Sequence, residues 1–409
     1  MKKTLLTICL VWMCFSLSAQ KIIDLSGKWS FSIDRQDNGE KEKWFSHTLN
    51  DFINLPGSMP EKLKGDEVTA KTQWTGSLYD SSYYYNPYME KYRKEGNIKF
   101  PFFLTPDKHY VGAAWYQKEV NIPADWKGER ILLFLERPHI ETTVWVNGQK
   151  TGMQNSLCVP HQYDITHYVR PGKCTITIRV DNRIKEINVG PDSHSITDQT
   201  QGNWNGIVGR ICLQTTPKTY FDDIQIYPEP EQKLARVKVV IKGTGTAKVK
   251  LSAESFNTDK KHIVPAIQQE IKLNKGVTET EMVLPMGNDM LLWDEFHPAL
   301  YKLKAEVTNG KKTEIKEIQF GMRRFEIKGK WFYVNGRKTQ LRGTVENCDF
   351  PLTGYAPMDV ESWERVFRIC RSYGLNHMRF HSFCPPEAAF MAADRVGFYL
   401  QPEGPSWPN

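Results

Sequence analysis

The feature that most constrains this sequence is the alternation of strand-like and helix-like segments in its last part. The strand patterns lie at 339–343, 375–381 and 398–403, and the helical patterns at 359–373 and 385–394. Gly374 and Gly397 follow the helical patterns and predict their ends. Alternation of this kind builds a parallel sheet or a TIM (β/α)8 barrel. A whole barrel needs ~250 residues, so the roughly 90 residues of 321–409 predict only its first three β/α units. We therefore expect this chain to be the front part of a longer protein.

The sequence before residue 321 is dominated by strand patterns, so we expect a mostly β chain. Residues 20–218 carry short strands with turn signals and no helical stretch, which predicts a two-sheet sandwich of the jelly-roll type. Asn147-Gly148 predicts a tight hairpin within it. Residues 79–106 read as a long insertion, and long insertions are usually functional. Residues 219–320 alternate apolar and polar side chains in several short strands, which predicts an immunoglobulin-like sandwich.

The N-terminus predicts export. Lys2-Lys3, an apolar run at 5–17 and the small residues Ser18-Ala19 are typical of a signal peptide covering residues 1–19, so we expect a periplasmic or extracellular protein. No later apolar run is long enough to predict a membrane span. The net charge of +7 is spread along the chain, which argues against nucleic acid as a partner. The cysteines show no Cys-x-x-Cys spacing, so we predict no metal site and no cofactor.

Several motifs, in order along the chain, resemble glycoside hydrolase family 2, the family of β-galactosidases, β-glucuronidases and β-mannosidases. Trp115-Tyr-Gln-Lys-Glu-Val120, Trp145-Val-Asn-Gly148, Tyr163-Asp-Ile-Thr166 and Arg179-Val-Asp-Asn182 are similar to its N-terminal sugar-binding domain. Gly321-Met-Arg-Arg-Phe325 and Leu341-Arg-Gly343 are similar to the joint into its catalytic barrel, and 376–381 and 393–403 to its second and third barrel strands. The resemblance covers the chain beyond the signal peptide.

The resemblance implies an O-glycosyl hydrolase, β-galactosidase-like, that acts on a carbohydrate. Retaining hydrolysis uses two carboxyl groups ~5–5.5 Å apart. In this family both belong to glutamates near the ends of the fourth and seventh barrel strands, which lie outside the predicted elements. We therefore assign no catalytic residue and expect an N-terminal fragment that does not itself turn over a glycoside. Two alternatives stay open: a non-catalytic carbohydrate-binding protein, and a structural module without a ligand.

Candidate substrate-binding residues follow from the rule that barrel sites form at the C-terminal ends of the strands. We expect Arg342, Arg379, His381 and Glu403 at or near those ends. Arg342 and Arg379 could instead pair with acidic groups inside the barrel mouth. The histidine is expected to contact a sugar hydroxyl rather than a metal.

Three further regions supply candidates. Asn347 occupies the position where the family commonly has a histidine, which leaves the sugar open. Trp407 could stack on a sugar or pack under a following helix. In the first sandwich, the polar loop with Asp198, Asn203 and Trp204 corresponds to a loop that in relatives reaches the barrel mouth. An ordinary turn with a buried tryptophan is the alternative for that loop.

Overall fold

A computed structural model describes residues 20–75, 85–99, 101–185, 193–198 and 200–404. The predicted signal peptide and Trp407 lie outside these residues. In the first part of the described chain the strands are β1 (Ile22–Asp24), β2 (Gly27–Asp34), β3 (Asp51–Leu55), β4 (Gly57–Ser58), β5 (Asp66–Glu67), β6 (Lys108–His109), β7 (Ala113–Ile122), β8 (Arg130–His139), β9 (Glu141–Val146), β10 (Gln149–Asn155), β11 (His161–Asp164), β12 (Gly172–Asp181) and β13 (Gly206–Thr216). This part of the described chain thus consists mainly of strands, as predicted.

Two sheets enclose the core of this first sandwich. One has the order β1-β13-β8-β11, with β4 beside β13, and the other has the order β10-β9-β12-β7-β2-β3. Alternate residues of both sheets, such as Phe31, Tyr116 and Leu133, are fully buried in one cluster because successive strand side chains point to opposite faces. Asn147 and Gly148 have φ of 51° and 76° and join β9 to β10, so the predicted hairpin is confirmed.

The second β unit, which the sequence predicts to be a sandwich and which is called the second sandwich below, forms one five-stranded sheet in the described chain: β14 (Tyr220–Glu229), β15 (Leu234–Phe256), β16 (Ile263–Pro285), β17 (Leu300–Asn309) and β18 (Lys312–Phe320). The first half of β15 pairs with β14 and the second half with β17, while β16 follows it along most of its length. The patterns at 236–241 and 247–251, which suggest two strands, therefore belong to one. Gly243 and Gly276 face each other where its pairing shifts register.

The last described part contains β19 (Phe325–Lys328), β20 (Trp331–Val334), β21 (Arg337–Thr339), β22 (Gly343–Glu346), β23 (His377–Phe380) and β24 (Tyr399–Gln401), with helices α1 (Val360–Ser372) and α2 (Glu387–Val396). Strands β22, β23 and β24 form a parallel sheet in that order. Asp359 caps α1 by accepting a hydrogen bond from the Ser362 amide. Trp363 and Phe367 of α1 are buried in a core shared with α2 and the parallel strands. The predicted β-α-β-α-β order is thus present.

One predicted boundary is wrong. The pattern at 339–343 predicts the first parallel strand, but that strand begins only at Gly343. Residues 337–339 belong to the antiparallel sheet β19-β20-β21. The turn Asn335-Gly336, with φ of 51° and 76°, makes a hairpin of β20 and β21 and so places these residues outside the parallel sheet.

The parallel unit contacts both sandwiches. At the first sandwich, the Arg137 guanidinium donates to the Cys384 carbonyl of the parallel unit at 2.7 Å, and the Tyr355 hydroxyl of the parallel unit donates to Glu61 at 3.0 Å. From the second, the Trp293 indole donates to the Asp394 carbonyl at 2.7 Å. None of the helices in the described ranges is long and apolar enough to cross a membrane.

Candidate functional site

The candidate site is the edge at which β22, β23 and β24 end. Because the three strands are parallel and adjacent, the residues that follow them lie at one edge of the sheet. The chain leaves β22 at Asn347, β23 at His381 and β24 shortly before Glu403. All three are among the predicted site residues, and the structure brings them to the same edge.

The strongest interaction at this edge joins Arg379 to Glu403. Nε and Nη2 of the guanidinium donate to the two carboxylate oxygens, the latter at 3.2 Å, and the Ser382 hydroxyl donates to the same carboxylate at 3.1 Å. The hydrogen bond from Arg379 is the main reason why the pKa of Glu403 lies below its usual value. Glu403 is therefore an ionised, oriented acceptor, and its remaining lone pairs can accept from hydroxyl groups.

His381 lies between the segment that follows β22 and a loop of the first sandwich. Its Nδ1 is 3.3 Å from the Asn347 amide oxygen. On another side the edge of its ring meets the ring of His194, with centroids 4.7 Å apart. Burial, together with the neighbouring His381, lowers the pKa of His194. The neutral His194 imidazole can both donate and accept a hydrogen bond.

A loop of the first sandwich, described over residues 193–198 and 200–202, holds the end of β23 in place. The Ser195 hydroxyl donates to the Ser382 carbonyl at 3.0 Å, and the Gln201 side-chain amide donates to the His381 carbonyl at 2.8 Å. We call these two contacts the sandwich brace. Neither of these residues, nor His194, was predicted as a site residue, because no sequence motif marks them. The polar composition of the loop is the only signal that points to them.

The prediction that Arg342 lies at the C-terminal ends of the parallel strands is wrong. Since β22 begins at Gly343, Arg342 lies at the opposite, N-terminal end of that strand. Its guanidinium donates to the Gly374 carbonyl at 2.7 Å and lies 3.6 Å from the carboxylate of Glu295. The side-chain amide of Asn376 donates to the same carboxylate at 2.6 Å. Arg342 therefore pairs with an acid, as one of its two interpretations had it, but at the far end of the strands.

The three candidates from the first sandwich lie beneath the brace. The side chains of Asp198, Asn203 and Trp204 are 1%, 7% and 6% exposed. The Asp198 carboxylate accepts from the Thr75 amide at 2.7 Å and lies 3.3 Å from Nε2 of His109. Because these groups bond to the protein, they support the loop in this structure, and a direct sugar contact stays a prediction.

The Trp204 ring stacks on that of His139, and this buried pair lies beneath the same loop. The two ring centroids are 4.6 Å apart and the ring planes 16° apart. The Asn203 amide donates to the Asn182 carbonyl at 2.8 Å, and its oxygen lies 3.1 Å from Nε2 of His139. Burial, assisted by the charge of Arg137, lowers the pKa of His139 to about 3, so this imidazole is neutral.

Within the described ranges, no group of three or more histidine, cysteine or acidic residues is arranged to hold a metal ion. The cysteines of that part, Cys158, Cys174, Cys212, Cys348, Cys370 and Cys384, carry free thiols. The candidate site, as far as the described residues form it, consists of hydrogen-bonding side chains around the Arg379–Glu403 ion pair.

Comparison with known proteins agrees with the order of these units. Residues 22–217 match the family model described as glycosyl hydrolases family 2, sugar binding domain, and residues 219–323 match the model described as glycosyl hydrolases family 2. A beta-galactosidase of Thermoanaerobacter pseudethanolicus is 24% identical over 332 residues, which cover 76% of this chain and 42% of that protein. The beta-glucuronidase of Homo sapiens is 23% identical over 420 residues, which cover 93% of this chain and 57% of that protein.

Solved structures share the fold. A beta-glucuronidase of Ruminococcus gnavus superimposes with a TM-score of 0.69 at 19% identity, over 94% of this chain and 59% of that one. A family 2 glycosyl hydrolase of Bacteroides cellulosilyticus gives a TM-score of 0.67 at 20% identity, over 94% of this chain and 47% of that one. The chain thus spans about half the length of the relatives it matches.

Proposed function

Because the chain belongs to glycoside hydrolase family 2, we propose that it serves the hydrolysis of O-glycosyl bonds in a carbohydrate, in a β-galactosidase-like or β-glucuronidase-like reaction. In this proposal the two sandwiches are of the jelly-roll and immunoglobulin-like types, and the parallel unit is the beginning of a TIM barrel. The observation that carries the proposal is the polar edge of the parallel sheet, where Asn347, His381 and the Arg379–Glu403 pair converge.

The groups at this edge bind and orient a sugar. Glu403, held ionised by Arg379, accepts hydrogen bonds from sugar hydroxyls, and the direction of its lone pairs is set by two donors. His381 contributes one imidazole nitrogen opposite the one that faces Asn347. The sandwich brace fixes the backbone of His381 and so limits the entropy lost when a sugar is bound.

We propose no catalytic role for these residues. A carboxylate that is tied to a guanidinium and a hydroxyl is a poor general acid, because its pKa is lowered and its proton is absent at neutral pH. In this proposal Arg379, Glu403 and Ser382 therefore orient the bound sugar. We expect the 409-residue polypeptide to bind sugar without cleaving it.

The test uses purified protein with 4-nitrophenyl β-galactoside and β-glucuronide. We expect no release of nitrophenol, and binding of at least one of the parent sugars by saturation-transfer NMR. His381→Ala should abolish that binding, whereas His297→Ala, whose side chain is 84% exposed away from this edge, should not. Turnover that is lost in Glu403→Gln would refute the assignment of these residues to binding. Binding without turnover by the protein isolated from its natural source would favour the alternative, a non-catalytic carbohydrate-binding protein.

We also propose export through cleavage of residues 1–19, on the strength of their composition. N-terminal sequencing of the protein from its source should begin near Gln20. A protein that retains Met1 and stays inside the cell would contradict export.

A further inference from the structure

The antiparallel sheet β19-β20-β21 has two different faces. Its register puts Phe325, Phe332 and Val334 on one face, where they line a cavity together with residues from the starts of β23 and β24. Because successive residues of a strand point to opposite faces, Trp331 and Tyr333 point the other way. Trp331 is 41% exposed on this outer face. The sheet therefore lies at the N-terminal ends of the parallel strands, away from the candidate site, and its outer face carries an exposed indole.

Three lysines gather over the rings of the outer face. The Lys338 ammonium lies 3.2 Å from the centroid of the Trp331 ring, and the Lys330 ammonium lies 5.6 Å from the same centroid. Lys338 is also the cross-strand partner of Tyr333, and the Lys328 ammonium lies 5.3 Å from the Tyr333 centroid. We call these five residues the basic aromatic face. They belong to the three paired strands and to the turn between the first two, so the pairing of the sheet holds them together.

The basic aromatic face carries more positive than negative charge. Glu326 is the only acidic residue of the three strands. Its carboxylate lies 3.2 Å from the Lys328 ammonium and 2.7 Å from the Arg324 guanidinium. Throughout the described ranges, no carboxylate forms an ion pair with Lys330 or Lys338. Two ammonium groups beside one indole are therefore left without an acidic partner, and an anionic ligand would supply one.

We propose that the basic aromatic face binds a polysaccharide that carries carboxylate groups, of the kind formed by a chain of uronic acid units. The Lys330 and Lys338 ammonium groups each offer three donors to a carboxylate. The exposed part of the Trp331 indole packs against the apolar C–H face of a pyranose ring. A chain of uronic acids presents a carboxylate and an apolar ring face on every unit, so it matches both features of this surface.

Nucleic acid fits the same surface less well. Its binding at physiological salt depends on the neutralisation of many phosphates. The basic aromatic face offers three ammonium groups, one of which is already paired with Glu326. A carbohydrate needs fewer charges, because its ring faces contribute through contact with the indole.

The experiment titrates the whole 409-residue protein by calorimetry in 0.15 M sodium chloride. The probes are hexamers of galacturonate and of mannuronate, each compared with its methyl ester, which keeps the rings and removes the charge. We expect the acid form of at least one hexamer to bind about tenfold more tightly than its ester, since two exposed ion pairs are together worth about that factor. Equal affinity for acid and ester, or no binding of either acid, would overturn the proposal. An oligodeoxynucleotide of equal charge that binds as tightly would overturn it in favour of a general contact with polyanions.

Variants separate the two parts of the surface. The double variant Lys330→Gln and Lys338→Gln should bind acid and ester equally, at an unchanged urea midpoint. The matched control, Lys260→Gln and Lys272→Gln, removes the same charge from two exposed lysines of the second sandwich and should keep the preference for the acid. Trp331→Leu should weaken acid and ester by the same factor, which a loss of charge would not do. The same loss in the control as in the first double variant, or unchanged binding by Trp331→Leu, would overturn the assignment of this face.

Discussion

Acid should destabilise the first sandwich because two of its buried histidines stay neutral in the folded protein. Burial lowers the pKa of His139 to about 3 and that of His161 to about 4, from 6.5. Both imidazoles are therefore neutral in the folded protein, whereas the unfolded chain binds protons as the pH falls below 6.5. The stabilisation is fully present above that pH and is lost on acidification. At pH 5 each histidine lowers the free energy of unfolding by ~2 kcal/mol relative to neutral pH. This loss depends little on the pKa of the histidine in the folded protein, as long as that pKa lies below 5.

The assay is urea unfolding followed by tryptophan fluorescence at pH 7 and pH 5. His139→Gln keeps a polar side chain beside Trp204 but cannot titrate, so its free energy of unfolding should fall by ~2 kcal/mol less than that of the natural protein between the two pH values. His297→Gln, at a site 84% exposed, should behave like the natural protein. If the natural protein and His139→Gln lose the same free energy, the burial of a neutral imidazole beneath Trp204 is refuted.

Three further predictions concern the parallel unit. Phe367→Ala removes a fully buried ring stacked on Phe398 and should lower the free energy of unfolding by ~3–5 kcal/mol. Leu352→Ala, at an 86% exposed side chain, should change it by no more than ~0.5 kcal/mol. Equal urea midpoints for the two variants would contradict the described core. Asn376→Ala leaves the buried carboxylate of Glu295 without its closest donor and should cost ~1–3 kcal/mol by the same measurement, with no loss of sugar binding. Gln201→Ala removes the hydrogen bond to the His381 carbonyl, so it should lower the free energy of unfolding by ~0.5–1.5 kcal/mol and weaken binding of the parent sugar by about fivefold; unchanged binding would contradict the brace.

Much of the fold could be predicted because its signals are local. Helix α1 follows from an apolar stripe that includes Trp363 and Phe367 and from Gly374 after it, all within one segment. The hairpin at Asn147-Gly148 likewise follows from two adjacent residues. Such features need no knowledge of distant parts of the chain, and the structure has them where the sequence predicts them.

The position of Arg342 could not be predicted because register is not local. Residues 339–343 alternate in a way that fits a strand of either neighbouring sheet. The hairpin at Asn335-Gly336 takes 337–339 into an antiparallel sheet, and the parallel strand starts four residues later than expected. This shift moves Arg342 from the mouth of the strands to their other end, although its residue type suits both places.

The brace was missed for a related reason. Ser195 and Gln201 contact Ser382 and His381 across 187 and 180 residues of sequence, and they do so through backbone carbonyls, which carry no residue identity. A loop of polar residues can meet any carbonyl of suitable position. Only the folded arrangement shows that this loop, rather than another, reaches the end of β23.

Each sandwich contacts a different end of the parallel strands. The first sandwich holds the carboxyl ends, where Gln201 meets the His381 carbonyl. The second sandwich closes the opposite ends, where the Glu295 carboxylate accepts from Asn376 and Arg371 donates to the Glu295 carbonyl. Changes in the loop that carries Gln201 should therefore alter sugar binding, while changes at Glu295 should alter stability alone. The sandwiches then differ in function because of the strand ends they touch, a difference that their similar strand patterns do not reveal.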